Sequence, residues 1–373
     1  EVKMDNQLDA IQEAPTGVSA ADNRIATKFK FWPLIRFVLP TMAMSLFMAL
    51  FKSVDDGLFV SQFVGKEALS AVNICFPLVI GVWGIAIMFA TGGAAIAGKK
   101  IGEGKPEEAR RDFSCVCIMA MLVAAVVVLP CVIFMEPIMR ALGADESIMH
   151  YCVVYGNISV GTTPLAILSP IFEFFYVTSG APKMGLVSTL LRGAMNILFD
   201  YLFIVVLRLE VMGVAMATAM GDLATCILGF SFYMNKKHAV HFAKPSKDWG
   251  YLLGHSCKNG VSEMLNHVAM GVTSFIVNAT MLRLIGNDGV AAQAVVGGLG
   301  YILVSMFIGF SNGIAPVYSY NYGNQDHAML RRLIKYSILF LTVMSCLTVV
   351  ICLVFAKPLI SIFVLESKEP ELF

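Results

Sequence analysis

The sequence predicts an all-α polytopic membrane protein, and three of its properties point to this fold class. Hydrophobic residues make up 57% of the 373 residues, and charged residues only 14%. Soluble domains contain about a quarter charged residues, so this composition lies outside the soluble range. The mean hydropathy is +0.75. The apolar residues also lie in runs long enough to cross a hydrocarbon core of about 30 Å.

The apolar runs predict nine complete spans and the start of a tenth before Phe373. A polar stretch without a run of signal-peptide length precedes them, so we expect a flexible tail over residues 1–30. The nine predicted spans are 31–54, 68–97, 113–135, 148–178, 184–207, 212–234, 252–282, 289–318 and 333–356.

Basic residues are concentrated in every second connection, and this pattern predicts the orientation. They occur in the tail and in the loops 98–112, 235–250 and 319–335, whereas the alternate loops hold few. By the positive-inside rule the tail and these three loops are cytoplasmic. We therefore expect a multi-pass protein with a cytoplasmic N-terminus.

An internal repeat appears when the chain is compared with itself at an offset of 221 residues (313 − 92). The ungapped matches include Gly92 with Gly313, Gly102 with Gly323, and Arg110-Arg111 with Arg331-Arg332. The offset covers six spans, an even number, so both copies should have the same orientation.

The repeat also predicts the domain boundaries. We expect a first lobe over residues 31–235, an inter-lobe loop over 236–251, and a partial second lobe over 252–373. By comparison with the first lobe, the second should lack roughly its last three helices.

Several function classes are excluded by composition. The net charge of +1 offers no basic surface for nucleic acid. The nine cysteines lie almost entirely within apolar runs without metal-ligand spacing, so we interpret them as packing residues and expect no cofactor. No HExxH or serine-lysine arrangement is placed in a span, so we do not expect an enzyme.

The segment Leu191–Val206 carries the most informative polar residues. Arg192, Asn196 and Asp200 follow one another at four-residue steps, which places them on one face of a helix. A charge at mid-bilayer costs about 2.5 to 3.5 kcal/mol on insertion scales, so a carboxylate there needs a partner or a function. The structural alternative is an ion pair of Arg192 with Asp222 or Glu173 that only fastens helices together.

Further polar groups occur in other predicted spans. Asp55 and Asp56 end the first, where they either bind a ligand or merely lie at the outer interface. Thr218 and Asp222 are four residues apart on the sixth. The seventh carries Glu263, Asn266 and His267 on one face, either in a cleft or at the cytoplasmic interface, and Glu173 is isolated on the fourth.

Several motifs resemble the multidrug and toxic compound extrusion (MATE) family, and specifically its bacterial multidrug-exporter branch. They are SVDDGLFVSQFVGKEALSAVNICFPL, GAPK, MNILFDYLFI, NGVSEM, GVAAQAV and APVYSYNYG, and they occur in the family's order from about residue 31 onward. The resemblance implies two parallel six-helix lobes facing a central cleft, in a bacterial cytoplasmic (inner) membrane.

The resemblance also implies a cation-coupling site in the first lobe. The family's positions correspond to Asn196, Asp200 and Thr218. Its first-helix aspartate corresponds to Asp55 counted from Pro40, or to Asp56 counted back from GLFVSQFVG. Such a site would bind a proton or a sodium ion, with Na⁺ held by Asp55, Asn196, Asp200 and Thr218.

The resemblance implies a monomeric antiporter that exports amphipathic organic cations through the lipid bilayer in exchange for protons or sodium. The cleft candidates for substrate are Glu173, Glu263, Asn266 and His267. One alternative is a lipid-linked oligosaccharide flippase of the wider superfamily, which would need a strongly cationic cleft. The other is a non-transporting membrane receptor.

Overall fold

The structure is a computed structural model that describes residue 25, residues 29–54, residue 64, and residues 66–354 apart from 246, 285 and 286. Within these residues the chain is all-helical, with no strand. The helices are α1 (Phe31–Val54), α2 (Lys66–Gly102), α3 (Pro106–Ile133), α4 (Met135–Ala141), α5 (Met149–Gly161), α6 (Thr163–Thr178), α7 (Pro182–Asp200), α8 (Glu210–Tyr233), α9 (Trp249–Leu284), α10 (Asn287–Gly323) and α11 (His327–Val354).

Seven of the described helices are long and apolar enough to cross a membrane, or eight if a bent pair counts as one span. The described part of α9 is not among them, because its first half is interrupted by polar residues such as Lys258 and Glu263. The number of nine spans therefore stays a prediction.

The bent pair corrects the single run expected over residues 148–178. The run is divided into α5 and α6, which are inclined by 47° to each other. Pro164 lies in the first turn of α6, where it has no N–H to continue the hydrogen-bond ladder of α5. The Thr162 hydroxyl donates to the carbonyl oxygen of Ile158 at 2.9 Å and so satisfies one group at the break.

The helix bounds agree with the predicted repeat to the residue. α2 and α10 both have 37 residues and start 221 apart (287 − 66). α3 and α11 both have 28 residues and also start 221 apart (327 − 106). The two copies thus form the same pair of helices in the same order.

One end of the bundle carries the lysines and arginines of the repeated loops, and we call it the basic end. It comprises Lys99, Lys100, Arg110, Arg111, Arg331 and Arg332, at the end of α2 and the starts of α3 and α11. α2 and α10 meet at this end through glycines. A Cβ on Gly102 would collide with the carbonyl oxygen of Tyr320, and a Cβ on Gly323 with that of Lys99. Small residues of this kind allow close approach of membrane helices.

This contact is reciprocal under the repeat, because Lys99 and Tyr320 are also 221 residues apart (320 − 99). Each copy therefore presents its glycine to the same backbone position of the other copy. The two halves are related by a local pseudo-twofold axis at this crossing.

Two further seams join the halves. α9 runs antiparallel to α2, with Gly92 against the Ser256 carbonyl and Gly84 at 3.2 Å from the Met264 side chain, measured from an ideal Cβ. α10 packs on α1, where Gly313 meets the hydroxyl of Thr41.

The inter-lobe loop is docked on the first half. The Arg110 Nε donates to the Ala239 carbonyl at 3.0 Å, and the Ala243 amide donates to the Ser114 hydroxyl at 2.9 Å. The Phe242 ring lies 5.0 Å from that of Phe113, inside an aromatic cluster of α3, α6 and α8. The loop is therefore fixed to the first half up to Ala243.

The predicted tail, residues 1–30, is described only at residues 25, 29 and 30. Ile25 and Phe29 are buried, and the Phe29 ring lies 5.4 Å from that of Phe37 on α1. The rest of the tail lies outside the described residues.

Candidate functional site

Polar side chains of α6, α7 and α8 meet halfway through the first half of the chain. α7 begins at the basic end, because Gly180, with a φ of 73°, turns the chain and Pro182 starts the new helix. Arg192 lies ten residues further, about 15 Å along the helix axis. This depth is close to the middle of a hydrocarbon core of about 30 Å.

Arg192 forms the central ion pair of the site. Its Nη2 lies 2.9 Å from Oδ1 of Asp222 on α8. Its Cζ also lies 5.2 Å from the centre of the Trp83 ring on α2, within the range of a cation–π contact. Of the two pairings expected for Arg192, the structure contains the one with Asp222.

Glu173 has a different partner from the one expected. It is 2% exposed on α6, and its Oε1 accepts a hydrogen bond of 3.3 Å from the Thr189 hydroxyl on α7. Arg192 and Asp222 both influence Glu173 electrostatically. The expected isolated carboxylate therefore belongs to the same polar group as the ion pair.

Gly221 allows α7 and α8 to approach closely at this level. An ideal Cβ on Gly221 would lie 3.0 Å from the Arg192 carbonyl oxygen and 3.5 Å from Cβ of Asn196. One turn further along α7, Asp200 is fully buried. Predicted site residues Asn196 and Asp200 thus both lie in α7, with Asn196 against α8.

Thr218 lies near the level of Asp200 on α8. Asn196 is next to Gly221 and Ile204 is next to Gly213, and in both antiparallel pairs the residue numbers sum to 417. The same sum places Asp200 opposite Ala217, one residue before Thr218. The Thr218 hydroxyl donates to the Val214 carbonyl at 3.1 Å, within its own helix.

The helical backbone changes directly after Asp200. Residues Tyr201–Val206 form a π-helical turn, in which the Leu207 amide donates to the Leu202 carbonyl at 2.9 Å. Such turns insert an extra residue into an α-helix and often occur at functional sites. The sequence predicted a continuous helix here, because hydropathy does not distinguish α from π hydrogen bonding.

Asp55 and Asp56 lie outside the described residues. The complete set of four oxygen ligands expected for a sodium ion can therefore not be assembled from the described part of the chain. The residues of the set that are described, Asn196, Asp200 and Thr218, are oxygen donors from two adjacent helices, which suits a proton or Na⁺.

Glu263 and His267 lie at mid-depth on α9, and Asn266 between them is exposed. Glu263 is 14 residues from Trp249, about 21 Å along the helix from the basic end. This depth is greater than an interfacial position allows. Since Met264 packs on Gly84, these residues lie at the level of Trp83.

The interpretation from sequence missed Trp83. It is one of three tryptophans, and its contact with Arg192 requires two helices that are distant in sequence. Its position in an apolar run beside a glycine gave no signal beyond packing.

A family model described as MatE matches residues 40–202 and 264–370 of this chain, which is more than half of its length. The chain belongs to the MATE family. This MATE chain is 26% identical to the multidrug export protein MepA of Staphylococcus saprophyticus over 346 residues, which cover 89% of this chain and 73% of MepA. It is 27% identical to MepA of Staphylococcus haemolyticus over 358 residues, covering 92% and 75%.

The fold of the MATE chain also resembles solved structures. The crystal structure of MATE in complex with MaD3S superposes with a TM-score of 0.85 at 18% identity, covering 94% of this chain and 79% of the other. The predicted fold class and family are thereby confirmed.

Proposed function

We propose that this MATE chain is a secondary active antiporter that exports amphipathic organic cations in exchange for protons or sodium ions. The relatives' name, multidrug export protein, supports the export of varied small molecules. The expectation that the chain is not an enzyme agrees with its membership of a transporter family. We further propose that it functions as a monomer in the bacterial inner membrane.

One observation carries the proposal. At mid-depth, α6, α7 and α8 hold three carboxylates, on Glu173, Asp200 and Asp222, and one cationic side chain, Arg192. Three carboxylates and one guanidinium cannot all be charged in a low-dielectric interior without additional positive charge. Protons, sodium ions or cationic substrates would provide it.

The same charge balance favours export over the flippase alternative. A flippase would need unpaired basic groups to bind the phosphates of its lipid-linked substrate. The cationic group at mid-depth in the first half is already paired with Asp222 at 2.9 Å. The interior of the first half is therefore acidic, which favours cationic cargo.

The driving forces constrain the stoichiometry. Exchange of one proton for one monovalent cation moves no net charge and yields about 1.4 kcal/mol per pH unit. A second proton adds about 2.3 kcal/mol per 100 mV of membrane potential. A site with several carboxylates, such as Asp200 with Asp55 or Asp56, would be able to bind that second proton.

Dye efflux from proteoliposomes tests the proposal. The purified chain is reconstituted, a fluorescent organic cation is loaded, and a proton gradient or a sodium gradient is imposed separately. We expect efflux above that of protein-free vesicles with at least one of the two gradients. Efflux that equals the protein-free rate under both gradients would contradict antiport.

A further inference from the structure

We propose that Arg192 is a specificity-determining residue that competes with the substrate, because its guanidinium covers the two groups best suited to bind an organic cation. These groups are the carboxylate of Asp222 and the face of the Trp83 ring. The inference rests on the proposed export of organic cations and names the subsite for the cationic centre.

The geometry shows a cation already bound in the manner of a ligand. A carboxylate at 2.9 Å and an aromatic face at 5.2 Å, from two different helices, surround the guanidinium. Recognition of quaternary ammonium groups uses the same chemistry, because a cation without N–H donors needs an aromatic face and a nearby negative charge.

The pair is asymmetric in a way that allows exchange. The Asp222 side chain is 4% exposed, whereas the Arg192 side chain is 18% exposed. The carboxylate is therefore fixed among α6, α7 and α8, and the guanidinium is the partner that reaches the open side. Arginine has a long side chain with several rotatable bonds, so its head can move while its backbone stays in α7.

The charge count leaves room for one more cation. Glu173 and Asp222 contribute two negative charges when ionised, and Arg192 contributes one positive charge. A monovalent organic cation would bring the group to neutrality. Divalent cations would exceed it, so the inference favours monovalent cations with apolar or aromatic substituents that pack against Trp83.

Competition of this kind lowers the apparent affinity. If Arg192 occupies the subsite most of the time, the substrate binds only the fraction of molecules in which the subsite is free. Removing the guanidinium should therefore raise the affinity, whereas removing an ordinary binding residue would lower it. The two roles predict opposite signs.

The test is equilibrium binding of tetraphenylphosphonium to the purified full chain in detergent, measured by calorimetry. We expect Arg192→Gln to bind about tenfold more tightly or better than the wild type, since a competent fraction of a tenth or less would become close to one. Trp83→Leu in the Arg192→Gln background should abolish the gain. Arg140→Gln is the matched control, because Arg140 is paired with Glu136 and Glu146 on the exposed surface.

Arg192→Lys keeps the test decisive if Arg192→Gln does not fold. Lysine retains the charge beside Asp222 but lacks the planar guanidinium that covers Trp83. We expect tetraphenylphosphonium binding to be tighter than wild type for this variant too, with a smaller gain than for Arg192→Gln. Equal or weaker binding by the folded variant would overturn the inference.

The outcomes separate this inference from the proposed function. If the wild type drives dye efflux but neither Arg192 variant binds more tightly, only the role of Arg192 is wrong. If neither the wild type nor any variant binds tetraphenylphosphonium and no dye efflux occurs, the proposed export of cations is wrong as well.

Discussion

Asp200 is the residue on which the proposed coupling depends most. It is fully buried at mid-depth, it ends α7, and the backbone changes to a π-helical turn immediately after it. A buried carboxylate at this depth has a high cost when ionised. Binding and release of a proton or sodium ion would change that cost and so could drive the exchange between two conformations.

We expect Asp200→Asn to abolish gradient-driven dye efflux in proteoliposomes while the protein remains folded. Asparagine keeps the shape of the side chain but cannot lose or gain a proton near neutral pH. Efflux should fall to the rate of protein-free vesicles under both proton and sodium gradients.

Asp145→Asn is the control for this substitution. Asp145 lies on the exposed connection between α4 and α5, where its carboxylate accepts a hydrogen bond of 2.6 Å from the Ser147 hydroxyl. Its efflux should equal that of the wild type. Full pH- and sodium-dependent efflux by Asp200→Asn would contradict the site and make Glu173 and Glu263 the next candidates.

A second prediction at the level of single residues concerns the ion pairs. Asp112 is buried at the basic end, with its Oδ2 at 2.7 Å from Nζ of Lys100. Removing one partner of a buried pair leaves an uncompensated charge and costs about 3 to 5 kcal/mol. We expect Asp112→Asn to lower the thermal unfolding midpoint in detergent clearly.

The matched control is Glu146→Gln, which breaks the exposed pair of Glu146 with Arg140 at 2.8 Å. Exposed pairs contribute about 0 to 1 kcal/mol, so its unfolding midpoint should stay close to that of the wild type. Equal midpoints for the two variants would show that the burial of Asp112 does not matter for stability.

At the level of elements, hydropathy predicted the helices well in their centres and less well at their ends. α1 has the predicted bounds, whereas α2 continues to Gly102 and α10 to Gly323, five residues beyond each predicted end. Transfer free energy marks where a helix enters the headgroups. It does not mark where the backbone hydrogen bonds stop, and the charged ends of α2 and α3 remain helical in the aqueous layer.

The bend after Gly161 and the π-helical turn after Asp200 could not be predicted in this way. Both keep the apolar composition of a span and change only the hydrogen-bond pattern. Pro164 was a visible cause for the first, and the second has no residue that identifies it.

The glycine crossing of α2 and α10 gives a third prediction. A methyl group on Gly323 would collide with the Lys99 carbonyl, which belongs to a helix backbone and has little freedom to move. Overpacking of this kind costs about 1 to 3 kcal/mol. We expect Gly323→Ala to lower the unfolding midpoint, and Gly102→Ala to do the same, because its contact is the counterpart under the repeat.

Gly300 in α10 and Gly81 in α2 provide controls within the same two helices. An ideal Cβ on either of them meets nothing within 4 Å. Alanine is the better helix former by about 1 kcal/mol, so these two variants should be as stable as the wild type or more stable. If Gly323→Ala behaved like Gly300→Ala, the close crossing would not contribute to stability.

For the molecule as a whole, the internal repeat was the most reliable prediction. Paired glycines and arginines at a fixed offset have few explanations other than duplication, and the bounds of α2, α3, α10 and α11 reproduce the offset. The site was predicted only in part. Spacing along one helix placed Asn196 with Asp200, but spacing cannot bring Trp83 on α2 to Arg192 on α7.

The orientation of the whole molecule gives a fourth prediction. Lys105→Cys and Lys244→Cys at the basic end should resist an impermeant maleimide in intact cells, in a background whose native cysteines are replaced. Both positions are exposed, so protection would come from the membrane and not from burial.

Glu146→Cys is the positive control for labelling. Glu146 is highly exposed, at the end of the bundle opposite to Lys105. It should react from outside the cell. Labelling of both basic-end cysteines from outside would reverse the proposed orientation.

The docked inter-lobe loop has a consequence for the size of the cargo. Arg110 and Ser114 hold the loop to the first half as far as Ala243, and the second half begins with α9 at Trp249. Only six peptide steps connect these points, so the tether between the halves extends to about 20 Å at most. Near this connection, however the halves rotate, the doorway at the basic end is narrower than a small folded domain, and it admits single small molecules.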